Sequence, residues 1–181
     1  MRRHLGPFVL IASLAACSVA EVRAQRAHPK PGSVEARLQA IEDRQDIHAL
    51  LMNYGRTLDA RDFAGFEQLF ARDAEYGSAR SPLVKGPAAI RTYLEGQLKK
   101  NAAPEPGRDF HLFYNETIDV NGDHATALSK GAFYVRGEGN KLETTAVVNY
   151  HDELIREDGR WKFKRRILGE ARPVTGSTAA Q

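Results

Sequence analysis

The C-terminal half of the chain carries four long runs in which apolar and polar residues alternate, and short turn sequences separate these runs. Asn121-Gly122 and Asp158-Gly159 are dipeptides that favour two-residue hairpin turns, and residues 137–140 form a glycine-rich connection between the middle runs. The pattern therefore predicts an antiparallel meander. Its strands are predicted at Asp109 to Val120, Ala125 to Arg136, Leu142 to Arg156 and Trp161 to Leu168.

The preceding segment has the three-to-four-residue apolar spacing of amphipathic helices. Ser33 is the predicted N-cap of a first helix of about 25 residues, which runs to Leu58. Asp62 caps a shorter second helix, and Gly86-Pro87 opens a third. Ala74 to Gly77 is predicted to be a short strand. The apolar face of the second helix consists of Phe63, Phe66, Leu69 and Phe70.

Helices followed by a run of antiparallel strands are typical of an α+β domain. We expect the helices to pack against a curved antiparallel sheet that forms a cone-shaped half barrel and encloses a pocket. The domain is predicted to span residues 33–170. A chain of about 150 residues, left after removal of a targeting segment, suits a single core, so no second domain is expected.

The first residues have the organisation of a secretory signal, predicted at 1–24. Arg2 and Arg3 form a charged beginning, and Leu5 to Ala16 is an apolar run too short to span a bilayer as a stable helix. Cleavage before Gln25 suits ordinary signal peptidase, whereas the sequence ending at Cys17 resembles a bacterial lipobox whose cysteine is lipidated. Both alternatives predict export in a bacterium, to the periplasm or to an outer-membrane anchor.

Residues 25–32 are polar and include two prolines, which predicts a flexible linker, and residues 171–181 are predicted to be a disordered tail. Cys17 is the single cysteine, so the domain forms no internal disulfide.

The charge and the motifs exclude several classes of partner. The formal net charge is +3, and cleavage before Cys17 would remove two arginines and no acid, so the sequence gives no basis for nucleic-acid binding. No glycine-rich phosphate loop precedes a helix, and the histidines lack metal-ligand spacing. The sequence therefore predicts a small-molecule ligand, no metal and no cofactor.

Five stretches resemble the SnoaL-like branch of the nuclear-transport-factor-two-like superfamily, and especially its scytalone dehydratases and bile-acid dehydratases. They are Tyr54 to Asp62 (YGRTLDARD), Phe66 to Tyr76 (FEQLFARDAEY), Gly86 to Leu94 (GPAAIRTYL), Phe110 to Asn115 (FHLFYN) and Tyr150 to Arg166 (YHDELIREDGRWKFKRR). This resemblance implies the α+β fold described above. The superfamily contains dehydratases, isomerases, cyclases, dehydrochlorinases and binding proteins, so the fold alone implies no single activity.

The resemblance also implies a candidate catalytic site. These dehydratases and the hexachlorocyclohexane dehydrochlorinases share an aspartate at the end of the first helix and a histidine on a central strand, which match Asp59 and His111. Tyrosines of the bile-acid enzymes and of scytalone dehydratase match Tyr54 and Tyr76. The second catalytic histidine of scytalone dehydratase has no clear counterpart, and the arginine of the dehydrochlorinase falls near Gly169, so the substrate does not carry over.

Those residue types suit proton removal beside a carbonyl, because imidazole is a base whose pKa lies near neutrality. His111 would be the base, Asp59 would orient its ring, and the two tyrosines would donate hydrogen bonds to the developing negative charge. Structural alternatives remain for the same residues. Asp59 could cap the following helix or close the hairpin turn, and His111 could be a core histidine bonded to a backbone carbonyl. Tyr54 could pack in the core with its hydroxyl at a polar rim, and Tyr76 could belong to the core or to the pocket wall.

The strands supply further candidates. Alternation predicts that Asn115 shares a face with His111 and could orient a ligand, although a turn or edge position is favoured for it. The register that decides between Tyr150 and Asn149 stays open. Arg166 is predicted on a solvated strand face, and the alternative is an inward position in which it holds a carboxylate. The candidate ligand-binding residues are Asn115, Tyr150, Asn149 and Tyr134.

We therefore carry two hypotheses of function. The first is a cofactor-independent lyase or isomerase of the dehydratase type, acting on a small cyclic hydroxy-carbonyl compound. The second is a non-catalytic domain of the cell envelope that holds a small ligand or serves dimerisation. A homodimer formed through the outer face of the sheet is compatible with both, and exposed large apolar residues on that face would support it.

Overall fold

The structure is a computed structural model, and it describes residues 32–78, 80–101, 107–137, 139 and 141–169. The predicted signal peptide, nearly all of the predicted linker and the predicted tail lie outside these residues. Within the described ranges, no helix combines the length and the apolar character that a membrane crossing requires.

Three helices are described, and the first is the longest. Helix α1 spans Val34–Asp59, and the side chain of Ser33 accepts a hydrogen bond of 3.1 Å from the backbone N–H of Ala36, as predicted for an N-cap. Helix α2 spans Phe63–Glu67, and helix α3 spans Pro87–Asn101.

The second helix is shorter than its apolar pattern predicted. Leu69 lies beyond its end, and Phe70 already begins a strand in which it is 1 % exposed. The spacing of the four apolar residues fits a helical face, but Phe70 is buried in the sheet and Leu69, just before it, is partly buried. An apolar run this short fits both the period of a helix and the alternation of a strand, so the pattern alone does not decide between them.

Six strands form one sheet in the described residues, in the order β2-β1-β6-β5-β4-β3. Strands β3 to β6 form the predicted antiparallel meander, and β1 runs parallel to β6, so the sheet as a whole is mixed. The strands are β1 Phe70–Ser78, β2 Val84–Lys85, β3 Asp109–Asn121, β4 His124–Arg136, β5 Leu142–Glu157 and β6 Arg160–Leu168.

The sheet stays open because β2 and β3 are its two edges, and β-bulges interrupt its ladders. One bulge lies in β3 between Tyr114 and Thr117, where Asn115 has a positive φ of 55°. Another lies in β6 at Lys164, since Phe163 and Arg165 pair with consecutive residues of β5. A bulge bends its strand and strengthens the local twist, so these positions contribute to the curvature of the half barrel.

The core lies between the sheet and the second half of α1. Ile47, Leu51 and Leu58 of α1 are at most 1 % exposed and belong to the apolar cluster that includes Phe70 and Phe163 of the sheet. The first turns of α1 extend beyond this core. The apolar spacing of the sequence continues through these turns, but the apolar residues in them are more than half exposed: Val34, Leu38 and Ile41.

Candidate active site

A pocket of about 290 Å³ lies between the sheet and helices α1 and α3. Its wall is largely apolar, with contributions from Leu58, Leu94, Phe133, Val148 and Leu168. Eight of its lining residues have polar side chains, and the four that the sequence singled out come from four different elements: Tyr54, Tyr76, His111 and Tyr150.

Asp59 and His111 contact each other beside this pocket. The Nδ1 atom of His111 lies 2.6 Å from Oδ1 of Asp59, and the Asp59 carboxylate also accepts the backbone N–H of His111 at 3.0 Å. The side chains of His111 and Asp59 are 12 % and 24 % exposed. Asp59 is the last residue of α1, so the end of the helix brings the carboxylate to the strand.

The contact selects the tautomer of the ring. An ionised carboxylate only accepts hydrogen bonds, so Nδ1 of a neutral His111 carries the hydrogen and Nε2 keeps its lone pair. No hydrogen bond joins Nε2 to another residue of the described ranges, and the ring packs against Phe133 with the centroids 4.7 Å apart. The ring therefore presents a free basic nitrogen at the wall of the pocket.

The structural alternatives for these residues are less well matched by the geometry. Asp62, not Asp59, caps the second helix, because its side chain accepts the N–H of Gly65 at 2.8 Å. His111 contacts a carboxylate and lines the pocket, in place of the backbone carbonyl that a core histidine would contact.

A second ion pair holds the same two elements together. Asp109 is fully buried, and both of its oxygens accept hydrogen bonds of 2.8 Å from Nη2 of Arg61. Arg61 follows Asp59 by two residues, and Asp109 precedes His111 by two, so this pair brackets the Asp59–His111 contact. It restricts sliding of β3 relative to the end of α1.

Gly55 allows this close approach of helix and strand. A Cβ at this position would lie 2.8 Å from Cε2 of Phe113 and 3.1 Å from Cβ of His111. Neither neighbour can move freely, since both belong to the buried face of β3.

We expect Gly55→Ala to destabilise the protein by about 1–3 kcal/mol and to lengthen the Asp59–His111 contact, because α1 must move away from β3. Urea unfolding and a crystal structure of the variant measure both effects. The matched control is Gly96→Ala in α3, where a Cβ meets nothing within 4 Å and an increase in stability of about 0.4–1 kcal/mol is expected. A Gly55 variant as stable as this control would contradict the close-packing argument.

Three tyrosines lie together at the pocket, and two of them share a hydrogen bond. The hydroxyl groups of Tyr54 and Tyr76 are 2.9 Å apart, and the rings of Tyr54 and Tyr150 meet edge to face at 5.9 Å. Burial raises the pKa of all three phenols, so they remain protonated donors in neutral solution. Since one hydroxyl of the Tyr54–Tyr76 pair donates to the other, the acceptor keeps its own hydrogen for a ligand.

Arg166 lies behind these tyrosines and is 0 % exposed, which corrects the prediction of a solvated face. Its guanidinium carbon lies 4.1 Å from the ring centroid of Tyr54 and 4.0 Å from that of Tyr150, and its Nη1 atom donates to Oδ2 of Asp152 at 3.2 Å. The bulge at Lys164 is the reason, because one extra residue reverses the alternation along the rest of β6.

Burial raises the pKa of Asp152 to about 6, and the neighbouring Arg166 opposes this rise. The folded protein therefore takes up a proton near pH 6, whereas the unfolded chain takes it up only near the ordinary value of 3.8. Between these two values the folded state binds more protons. The free energy of unfolding consequently rises, for this group, as the pH falls from about 7 to about 4.

We expect Asp152→Asn to remove this contribution, since asparagine does not titrate. Relative to the variant, the wild-type protein should gain about 1–2 kcal/mol of unfolding free energy between pH 7 and pH 5, measured by urea unfolding at each pH. Parallel pH profiles of the two proteins would show that Asp152 is already ionised throughout this range.

Three predicted ligand-binding residues lie outside the pocket wall. Asn115 is exposed, because the bulge of β3 interrupts the alternation that would have placed it beside His111. Asn149 is also exposed, and its neighbour Tyr150 takes the inward position, which decides the open register. Tyr134 stacks on the Phe110 ring with the centroids 5.2 Å apart, and it does not contribute to the pocket.

A metal site is not found in the described ranges, since no three of their histidine, cysteine, aspartate and glutamate residues lie close enough to hold an ion. Neither the burial of Arg166 nor the close approach at Gly55 follows from the local sequence. The inward arginine depends on a bulge that no local motif announces, and the close approach at Gly55 depends on the packing of two distant segments.

Helices packed against an open, curved sheet, with a pocket between them, define the nuclear-transport-factor-two-like or cystatin-like class. The chain belongs to the SnoaL-like domain family, whose model matches residues 39–167. The resemblance and the fold class predicted from the sequence are thereby confirmed. No curated protein sequence matches the chain significantly.

Solved structures agree with this assignment. The chain is similar to an NTF2-like protein with a cystatin-like fold from Novosphingobium aromaticivorans, with 26 % identity, a TM-score of 0.67 and coverage of 83 % of this chain and 96 % of the other. A protein of the same bacterium, provisionally named a scytalone dehydratase, has 22 % identity, a TM-score of 0.62 and coverage of 80 % and 99 %. A hexachlorocyclohexane dehydrochlorinase has 21 % identity, a TM-score of 0.59 and coverage of 80 % and 97 %.

Proposed function

We propose that the protein is a cofactor-independent lyase or isomerase of the dehydratase type that acts on a small cyclic hydroxy-carbonyl compound. The observation that carries the proposal is the contact between Asp59 and His111, which leaves Nε2 of the ring free at the wall of a largely apolar pocket. A base placed in this way can remove a proton from carbon without a metal or a coenzyme.

In the proposed reaction, Nε2 of His111 removes a proton from the carbon next to the carbonyl group. The electron pair of the C–H bond moves into the ring of the substrate and onto the carbonyl oxygen, to which Tyr54 or Tyr76 donates a hydrogen bond. Asp59 stabilises the imidazolium that forms. When the enolate reforms the carbonyl, a hydroxyl group on the next carbon leaves, takes the proton from the imidazolium and departs as water.

The isomerase alternative shares the first step and differs in the second. There the imidazolium returns the proton to a different carbon of the enolate, and no group leaves. Two of the similar structures are named as a dehydratase and a dehydrochlorinase. These names refer to the removal of water and of hydrogen chloride, and both reactions are eliminations. This similarity supports elimination as the first activity to test.

The test is a panel of cyclic β-hydroxyketones of one and two rings, incubated with the protein while the ultraviolet absorbance of the conjugated enone is recorded. We expect at least one compound to be dehydrated faster than in buffer, and chelators to leave the rate unchanged. If compounds bind, as judged by a rise in melting temperature, but none is dehydrated or isomerised, the protein is a non-catalytic binding domain.

We also propose that the domain forms a homodimer through the outer face of β3 and β4. Leu112 and Leu128 on this face are 48 % and 50 % exposed, and Tyr114 between them is 37 % exposed. Large apolar side chains exposed together are typical of interaction sites. Light scattering should give the mass of a dimer for the wild type and of a monomer for Leu128→Glu, and a monomeric wild type would contradict the proposal.

Export is the remaining part of the proposal, and its support is the charged and apolar N-terminal sequence that ends at Cys17. Expression of the full chain in a bacterium, followed by mass spectrometry of the processed protein, tests it. A lipidated Cys17 would identify a lipoprotein and a mature N-terminus at Gln25 an ordinary signal peptide. An unprocessed chain in the cytoplasm would contradict export.

A further inference from the structure

Arg166 is a fully buried cation whose surroundings are mainly aromatic. Its guanidinium carbon lies within 4.5 Å of the ring centroids of Tyr54, Tyr150 and Phe163. Tyr54 and Tyr150 line the pocket, whereas Arg166 itself does not. The positive charge of the arginine therefore lies against two phenol rings of the pocket wall, although the arginine does not line the pocket.

The charge of Arg166 is only partly balanced. Asp152 accepts one hydrogen bond from Nη1, but neither Nε nor Nη2 of Arg166, nor the second oxygen of Asp152, has a hydrogen-bond partner within the described residues. Burial of an ion pair in this condition costs free energy, and apolar residues of similar volume would fill the same space at least as stably. Packing alone therefore gives no reason for an arginine at this position.

The tyrosines connect this charge to the pocket. A cation over the face of a phenol ring withdraws electron density from it and makes the hydroxyl group a stronger hydrogen-bond donor. Tyr54 also shares a hydrogen bond of 2.9 Å with Tyr76, so the effect extends to the second hydroxyl of the pair. Because Tyr54 and Tyr150 are at most 5 % exposed, such an effect is weakly screened.

We propose that Arg166 is a positioning residue that acts through Tyr54 and Tyr150 and makes the pocket selective for ligands whose oxygen atom carries a negative charge, such as an enolate or a phenolate. This inference rests on the proposed function, because an enolate is the species that proton removal by His111 would produce. The planar guanidinium also fixes the two rings by stacking, so that their hydroxyl groups keep a constant direction.

The test uses 4-nitrophenol as the probe, in a buffer whose pH equals the pKa of the free compound. Its phenol and phenolate forms absorb at different wavelengths, so the ratio of the two forms can be measured for the bound molecule. We expect the wild-type protein to bind the probe with the phenolate enriched about tenfold over the ratio in buffer, equivalent to one pKa unit.

Three variants separate charge from packing. The double variant Asp152→Asn/Arg166→Met loses both charges, is expected to fold, and should lose most of the tenfold enrichment. The single variant Asp152→Asn keeps the arginine without its counter-ion and should enrich the phenolate further. The matched control is Arg165→Met, whose side chain is 43 % exposed beside Arg166, and which should match the wild type.

Opposite shifts in these two variants are the signature of the Arg166 charge, because a purely structural role would change the ratio in the same direction in both, or in neither. Equal ratios in the wild type and the double variant would overturn the inference, and so would a failure of the wild type to bind the probe at millimolar concentration. The enrichment is a property of equilibrium binding and requires no removal of a proton from carbon, so it is measured independently of turnover. The experiment thus distinguishes failure of this inference from failure of the proposed catalysis.

Discussion

Asp59→Asn should lower the rate of the reaction by about 10³-fold or more, although it replaces only one carboxylate oxygen by an NH₂ group. The amide oxygen of asparagine can take the place of Oδ2 and accept the backbone N–H of His111. The NH₂ group then takes the place of Oδ1 and faces Nδ1 of the ring. That group donates a hydrogen bond, so Nδ1 must become the acceptor and the hydrogen moves to Nε2. The nitrogen that faces the substrate then carries a hydrogen and cannot act as a base. In serine proteases, where the histidine needs the same tautomer, the corresponding substitution lowers kcat by about 10⁴-fold.

The matched control for this substitution is Asp62→Asn, three residues along the chain. Asp62 caps α2 through Gly65, and asparagine is an equally good N-cap, so the control should keep both its stability and its activity. Turnover by the panel assay and urea unfolding measure the two effects. An Asp59→Asn variant with more than a tenth of the wild-type rate would show that the carboxylate does not set the tautomer.

His111→Gln should abolish proton removal, with a loss of about 10²–10⁴-fold in rate. Glutamine has a similar length and can donate to Asp59, but its amide is not a base at neutral pH. We expect the free energy of unfolding to change by less than about 1 kcal/mol, because the side chain is partly exposed at the pocket and keeps its polar contact.

His151→Gln is the corresponding control, because His151 is an exposed histidine on β5 that lies outside the pocket. It should retain full activity. If His111→Gln instead lost several kcal/mol of stability while ligand binding and turnover stayed unchanged, His111 would be a packing residue.

The parts of the fold that depend on local sequence could be predicted. Asp158-Gly159 forms the β5–β6 turn with positive φ values of 54° and 75°, which is the conformation that this dipeptide favours. Ser33 caps α1, and Gly86 adopts a positive φ immediately before α3. Each of these features is determined by two or three neighbouring residues, so it can be predicted from a short stretch of the sequence.

The parts that depend on register could not be predicted in the same way. Alternation along a strand is reversed by a single extra residue, and the bulges at Asn115 and Lys164 removed one candidate from the pocket and buried Arg166. The exposed start of α1 is a related case, since its apolar spacing continues past the point where the sheet ends. In each of these cases, burial of a side chain is decided by contacts with distant segments of the chain.

Deuterium exchange is the most direct measurement of the central claim, that His111 removes a proton from carbon in this pocket. Cyclic ketones are incubated with the protein in deuterium oxide, and proton NMR follows loss of the signal from the carbon beside the carbonyl group. The assay needs no leaving group and therefore no knowledge of the natural substrate. We predict exchange above the buffer rate with the wild type and with His151→Gln, and exchange at the buffer rate with His111→Gln and Asp59→Asn. Equal exchange in the wild type and His111→Gln, for ketones that bind in the pocket, would contradict the account.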